Sequence, residues 1–448
     1  MFSNIRDKIK NKHFLSLAGN GIMSVLGMIT IALLYRALSI SDIGIWVFFQ
    51  STFLLVDTFR SGFLTTAFIK FYAGASKQRS TEVCGSAWYI ALCITGILVA
   101  VNLPVYFVLN KISNVGLLLF FKWFGVTFIA TLPSFVATCV QQGDQRFDRL
   151  LYIRFVSQGS FILFVGILML VSHVNLQTVV YAYLLSALLT SLTSIFTGWA
   201  RINTFIHRTK TSISEIFHFG KFSVGTTLSS NLFRSSDTFI INFMLGPAAL
   251  AVYNIGQRLM EIVEIPLRSF AATGMPVLSA AYNSNNKEEV IITFKKYTGM
   301  ITIALIPVFI GSIIFADVAV AIIGGGKYAG TEAANVLRLF MTFALLFPVD
   351  RFAALTIDVI HQPKINFVKV LIMLAGNIAG DFAGIWLFGN IYGVALSTVI
   401  PILIGVIIGN WALQRYYKFS FISIYTVGYN EVKMLIAQAL HKKQVQLP

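Results

Sequence analysis

Charge is scarce in this chain. Asp, Glu, Lys and Arg together make up 12% of its 448 residues, against about a quarter in soluble domains, which excludes an ordinary water-soluble globule. Cysteine is scarcer: Cys84, Cys93 and Cys139 all lie in apolar runs and read as small packing residues, not as a disulfide framework or a thiolate metal site. Acidic residues are outnumbered 34 to 18. Strict apolar/polar alternation is missing from the long apolar stretches, so of the two folds that satisfy the backbone in lipid, helices are expected and a barrel is not. A phosphate-binding loop is missing too. The one glycine-rich lysine motif, Gly324 to Tyr328 (GGGKY), lacks the upstream glycine, the strand and the Ser/Thr that such a loop needs, and reads as an external turn.

What the chain has in abundance is apolar length. Hydrophobic residues make up 56% and the mean hydropathy is +0.78. A bilayer core about 30 Å thick needs ~20 apolar residues per helix. Spans of that size fall at residues 14–38, 43–69, 83–109, 116–141, 150–171, 177–199, 222–245, 248–273, 297–323, 332–360, 365–388 and 391–416. The expected fold is an all-α polytopic membrane protein of about twelve transmembrane helices. The opening MFSNIRDKIKNKHF runs basic into apolar like a signal peptide, but the apolar stretch after it is too long and lacks a small-residue cleavage site, so a retained first span is expected.

The net charge of +16 would suit nucleic acid, but its distribution points to a membrane. Twenty-three Lys and Arg fall on one side of the spans, and only Arg36, Lys111 and Lys327 on the other, with eight inside the spans. The positive-inside rule then puts both termini in the cytoplasm. The longest internal connection, residues 200–221, divides the chain into two six-helix bundles, 1–210 and 211–416. A tail, 417–448, completes the chain; Val432, Leu435, Ile436 and Leu440 share a helical face near Lys433, Lys442 and Lys443, which suits an amphipathic helix on anionic lipid. Arg-Ser at Arg60 and Arg268 recurs in the second helix of each half, as in transporters built from parallel repeats around a midplane site.

The stretch from Phe233 to Tyr282 places Arg234, Asp237, Arg258, Glu261, Glu264 and Arg268 in two segments otherwise apolar enough to span. A charge in hydrocarbon costs a few kcal/mol or more unless it meets water or a partner. At 100° per residue Arg258, Glu261, Glu264 and Arg268 fall in a sector of about 120°, a polar stripe for the inside of a bundle. Arg60, Lys122, Arg154, Arg338 and Arg351 are the other cations inside spans. Arg154 and Arg338, near span ends, are expected to snorkel. Asp57 and Glu261 stand i,i+3 from Arg60 and Arg258 and offer them internal pairing.

Four segments carry a family resemblance: SDIGIWVFFQSTFLLVDTFRSGF at Ser41–Phe63, FRSSDTFIINFMLGPAALAVYNIGQRL at Phe233–Leu259 followed by MPVLSAAY, IIGGGKYAGTEAANVLRLF at Ile322–Phe340, and GVALSTVIPILIG near the end. In order and spacing the chain resembles the polysaccharide (O-antigen, Wzx-like) flippase branch of the multidrug/oligosaccharidyl-lipid/polysaccharide exporter superfamily. The resemblance implies a V-shaped pair of bundles around a central cavity in a bacterial inner membrane. It further implies that the cavity opens alternately to each side and moves an undecaprenyl-diphosphate-linked oligosaccharide outward, with a polymerase and glycosyltransferases as partners and no enzyme activity of its own. Guanidinium groups stay charged when buried and grip phosphate bidentately, so Arg60, Arg234, Arg258, Arg268, Lys122 and Arg351 are the candidates for diphosphate and glycan. Asp57, Asp237, Glu261, Glu264, Asp350 and Asp358 are candidates for ion pairing or for a coupling ion, H+ or Na+; no other cofactor is expected. A cation-coupled multidrug exporter and a peptidoglycan lipid-precursor flippase are the alternatives. Eight cations against these six candidate carboxylates favour an anionic cargo over cationic drugs.

Overall fold

Local sequence signals start and stop the helices. The computed structural model describes residues 12–444, which form sixteen α-helices and no β-strand. Side-chain caps open many of them: Ser39, Ser76, Asn114, Asn175, Asn286 and Asn390 each accept from a backbone N–H of the first turn, satisfying donors the helix leaves unpaired. Pro247, Pro348 and Pro363 open others, where a missing N–H costs nothing.

The first six helices are α1 (Lys12–Ala37), α2 (Ile40–Tyr72), α3 (Lys77–Tyr106), α4 (Val115–Gly143), α5 (Phe147–Leu170) and α6 (Leu176–Phe196). A linker with a 3-10 turn at Ile202–His207 leads to α7 (Lys210–Met244). Then come α8 (Pro247–Asn283), α9 (Lys287–Ile314), α10 (Ala316–Gly324), α11 (Ala333–Ala344), α12 (Phe347–Val359), α13 (Pro363–Phe388), α14 (Ile391–Ser397), α15 (Val399–Tyr416) and α16 (Ser423–Gln444). Among the described residues eight spans are long and apolar enough to cross a membrane, and α11 and α12 taken together pass the same test across a bend of 50°, the geometry of a broken span or a re-entrant loop. Three further helices, α1, α7 and α8, have 26, 35 and 37 residues, more than the ~20 a crossing needs. The expected span at 297–323 is broken at Phe315 into α9 and α10.

Two compact units emerge. The first runs to Ser235 and takes in Ile323–Lys327; the second holds Ser236–Ile322 and the chain from Tyr328. The boundary therefore falls inside α7, beyond the linker at which the sequence places a seam. In the first unit α2, α3, α4, α6 and the linker surround a core of Leu64, Phe68, Val83, Trp88, Leu132 and Val136. The Trp88 indole N–H donates to the Ala200 carbonyl at 2.7 Å, pinning the linker. Trp46 lies near a span end, where tryptophan commonly anchors at the membrane interface, but it is buried and stacks with Phe49 and Phe161, edge-on to Tyr183. Position near a span end marks depth along the helix, but not which face a residue occupies.

In the second unit α8 packs on α9, α11 and α12, and α13 on α14 and α15. A side chain at Gly384 or Gly393 would collide with the other's carbonyl. Close approach of this kind drives helix association where lipid removes the hydrophobic contrast. The tail helix α16 also has a protein partner that its sequence did not reveal. It lies along α9, with Gly428 against Gly299 and the Lys296 ammonium 2.9 Å from Glu431. Of the residues expected on its apolar face, the Leu435, Ile436 and Leu440 side chains lie outside those described.

Candidate functional site

The charges of α8 sort by face. Ala251, Tyr253, Ile255, Leu259, Leu267, Ala271 and Leu278 are buried against the neighbouring helices of the second unit. Arg258, Glu261, Glu264 and Arg268 lie on the side left open and are about half-exposed. Arg258 Nη1 donates to Glu261 Oε1 at 3.1 Å, and Arg268 Nη2 to Glu264 Oε2 at 2.5 Å. Accessible charge in a spanning helix is stable where water reaches it and costly against acyl chains. Pairing at this exposure contributes about 1 kcal/mol at most, so these guanidinium groups remain open to a stronger anion.

The other expected cations separate into open and closed ones. Arg234 is exposed and has no carboxylate partner among the described residues. Three residues before it, Asn231 Nδ2 donates to the Thr58 hydroxyl at 2.6 Å, tying α7 to α2. Lys122 is exposed beside Trp123, and Arg351 is exposed on α12. Arg60 is 2% exposed and fully occupied. It pairs with Asp57 at 2.7 Å, donates to the Phe128 carbonyl and Thr131 hydroxyl at 3.0 Å each, and stacks over Phe128 and Phe135. No diphosphate reaches Arg60 in this conformation, and its geometry is that of a structural pair. Arg338, expected to snorkel, pairs with Asp317 and donates to Asn335.

The carboxylates divide more sharply. Asp350 pairs at 2.7 Å with Lys369, which is 2% exposed on α13; by its place near a span end, Lys369 groups in sequence with the basic loops. Asp358 is exposed and accepts from Asn366 Nδ2 at 2.7 Å. Asp237, however, is buried with a second carboxylate absent from the expected set, Asp381 on α13, which is wholly buried. Asn377 Nδ2 lies 2.6 Å from Asp237 Oδ1 and 3.2 Å from Asp381 Oδ2. The Tyr253 hydroxyl donates to Asp237 Oδ2 at 2.6 Å, and the Ser397 hydroxyl donates to Asp381. Among the described residues no Lys or Arg pairs with either acid. Two buried carboxylates without a cation are too costly to coexist as bare charges. Apart from the Asn377 amide, the groups around the two acids are hydroxyls, and carboxylate and hydroxyl oxygens suit a proton or an alkali cation better than a transition metal. The sequence signal was there: Asp381 interrupts the apolar run NIAGDFAGIW, and Asn377 stands four residues before it, on the same helix face.

Comparison with known proteins fits this architecture. A family model described as "Polysaccharide biosynthesis protein" matches residues 33–333, about two thirds of the chain. The teichuronic acid biosynthesis protein TuaB of Bacillus subtilis (strain 168) is 26% identical over 130 residues. That match is 28% of this chain and 26% of TuaB, so the chain spans about a quarter of that relative's length. Among solved structures, an inward-facing multidrug resistance MATE family transporter of the MOP superfamily superposes with a TM-score of 0.74 at 16% identity, covering 88% of this chain and 94% of that one. The lipid II flippase MurJ, in an inward closed conformation, gives 0.73 at 16% identity over 95% and 92% of the two chains. At such identity the likeness concerns the fold. With its all-helical fold and a family-model match over residues 33–333, the chain belongs to the polysaccharide biosynthesis protein family.

Proposed function

We propose that this protein flips an undecaprenyl-diphosphate-linked oligosaccharide, the repeat unit of O-antigen or another surface polysaccharide, from the inner to the outer leaflet of the bacterial inner membrane. The observation that carries the reading is the open, charged face of α8, with Arg258 and Arg268 only loosely held by Glu261 and Glu264. Arg234, exposed and without an acid partner among the described residues, and Arg351 and Lys122, both exposed, add cations of the same kind. The α8 face by itself offers a diphosphate the bidentate, charge-assisted donors it needs. Arg60 shapes α2 and α4 instead of touching cargo. Family membership supports a polysaccharide cargo, and the basic tally supports cytoplasmic termini.

Movement of the cargo is coupled, in this reading, to H+ or Na+ taken up between Asp237 and Asp381. In the first unit Asp57 already has Arg60 as its counter-charge; in the second unit the two acids have none among the described residues. A site whose charge is balanced only by a mobile cation is the one whose occupancy can follow conformation. A polymerase and glycosyltransferases are the expected partners on the two sides of the membrane.

The test is complementation of a strain lacking this gene, scored by surface glycan. Arg234→Ala and Arg268→Ala should each lose display at normal protein level, and the corresponding Lys variants should keep part of it. Full display by both Ala variants would remove these arginines from the transport path. Ethidium efflux unaffected by the same variants separates this function from drug export.

A further inference from the structure

Three helices of spanning length end around one cavity in the first unit. The cavity, about 740 Å³, is lined at the end of α2 by Tyr72 and Gly74, at the start of α3 by Lys77, and at the end of α4 by Asp144. The linker closes it with Arg201 and Thr204. Because α2, α3 and α4 are candidate spans, the ends of these helices mark the depth at which lipid headgroups sit. A second cavity of about 580 Å³ shares Lys77 and adds Arg208.

The charge balance of this place is positive. Asp144 accepts from the Tyr72 hydroxyl and from Arg201, both at 2.9 Å. Glu82, which lines the second cavity, lies 3.7 Å from Arg79. Both acids are thus engaged, while Lys77 is exposed and has no acidic partner among the described residues. The neighbouring surface is apolar. Ile202 and Ile206, on the same linker turn as Thr204, are 44% and 76% exposed. A cationic recess beside exposed isoleucines at headgroup depth matches an amphiphile with an anionic head, and fits a free inorganic anion poorly.

We propose that this cavity binds the phosphate head of a membrane lipid, with Lys77 and the free edge of Arg201 on the phosphate and an acyl chain along Ile202 and Ile206. The cavity shares no residue with the α8 face or with the two buried acids, and its lipid binding does not depend on the transport reading. Its occupancy would tie the linker to the ends of α2, α3 and α4, so lipid composition would set how firmly that linker is held. Two lipid sources share this chemistry: a resident anionic glycerophospholipid, and a polyprenyl diphosphate waiting at the membrane surface.

The experiment is native mass spectrometry of the full-length protein in mild detergent, titrated with phosphatidylglycerol or phosphatidylcholine. The wild type should retain phosphatidylglycerol in preference. Lys77→Ala should weaken that binding about fivefold, Lys77→Arg should preserve it, and Lys221→Ala, an exposed cation outside the cavity, should leave it unchanged. Equal phosphatidylglycerol binding by wild type and Lys77→Ala, or no preference over phosphatidylcholine, overturns the proposal. Displacement of phosphatidylglycerol by farnesyl diphosphate would assign the site to the diphosphate source. Failure to displace it would assign the site to resident phospholipid, and either result keeps the phosphate chemistry.

Discussion

Asp381→Asn tests the cation-binding role of the second unit. The Asp237 and Asp381 carboxylates reach the same Asn377 nitrogen at 2.6 and 3.2 Å, which holds those oxygens at most about 6 Å apart. At an effective dielectric of about 20, two unit charges at that separation repel by about 3 kcal/mol. Neutralising one acid with an isosteric amide removes that repulsion and keeps the shape of the cluster, including an oxygen for Ser397. Thermal unfolding of purified protein, in choline buffer and with sodium or acid added, reads the effect. The wild type should be stabilised by whichever cation it binds, by about 2.7 kcal/mol at a hundredfold excess over Kd, which corresponds to roughly 5–10 °C for a unit of this size. The variant should melt higher than wild type in choline, should no longer respond to the cation, and should lose glycan display. A wild type indifferent to both sodium and acid, or a variant that still responds as wild type does, would refute the assignment of these acids to the coupling ion.

Two further outcomes are expected from the packing. Lys369→Met leaves Asp350 without its counter-charge; removal of one member of a buried pair costs about 3–5 kcal/mol, and the 25% exposure of Asp350 puts the loss near the lower end. The double variant Lys369→Met/Asp350→Leu should recover most of that loss in a melting experiment, and no recovery would show that the pair does more than balance charge. Gly428→Leu should push α16 off α9, because Gly428 rests on the backbone of Gly299. Limited proteolysis should then cut the tail faster than in wild type, and an unchanged rate would mean that the helix is held elsewhere.

The many-span, all-helical character of the chain was legible because it depends on one-dimensional quantities, namely apolar run length, capping residues and the side on which lysine and arginine fall. Local pairings were legible for the same reason. Arg60 with Asp57 and Arg258 with Glu261 are i,i+3 neighbours that any helix brings together. Sequence position misleads where a face or a distant partner decides. Trp46 has the position of an interfacial anchor and the surroundings of a core residue. Lys369 has the position of a flanking cation and a partner nineteen residues away on another helix.

By itself, then, the sequence determined that this chain crosses a membrane many times and must shelter a set of charges, since the cost of each charge in hydrocarbon depends only on its place along a helix. Tertiary structure decided which charges meet and which stay open. Asp237 and Asn377 are 140 residues apart, and only the packing of α7 against α13 puts two carboxylates around one amide while leaving the arginines of α8 open on another face. Contacts of that range depend on which helix faces close on each other, a property of the folded helices together and not of any one span.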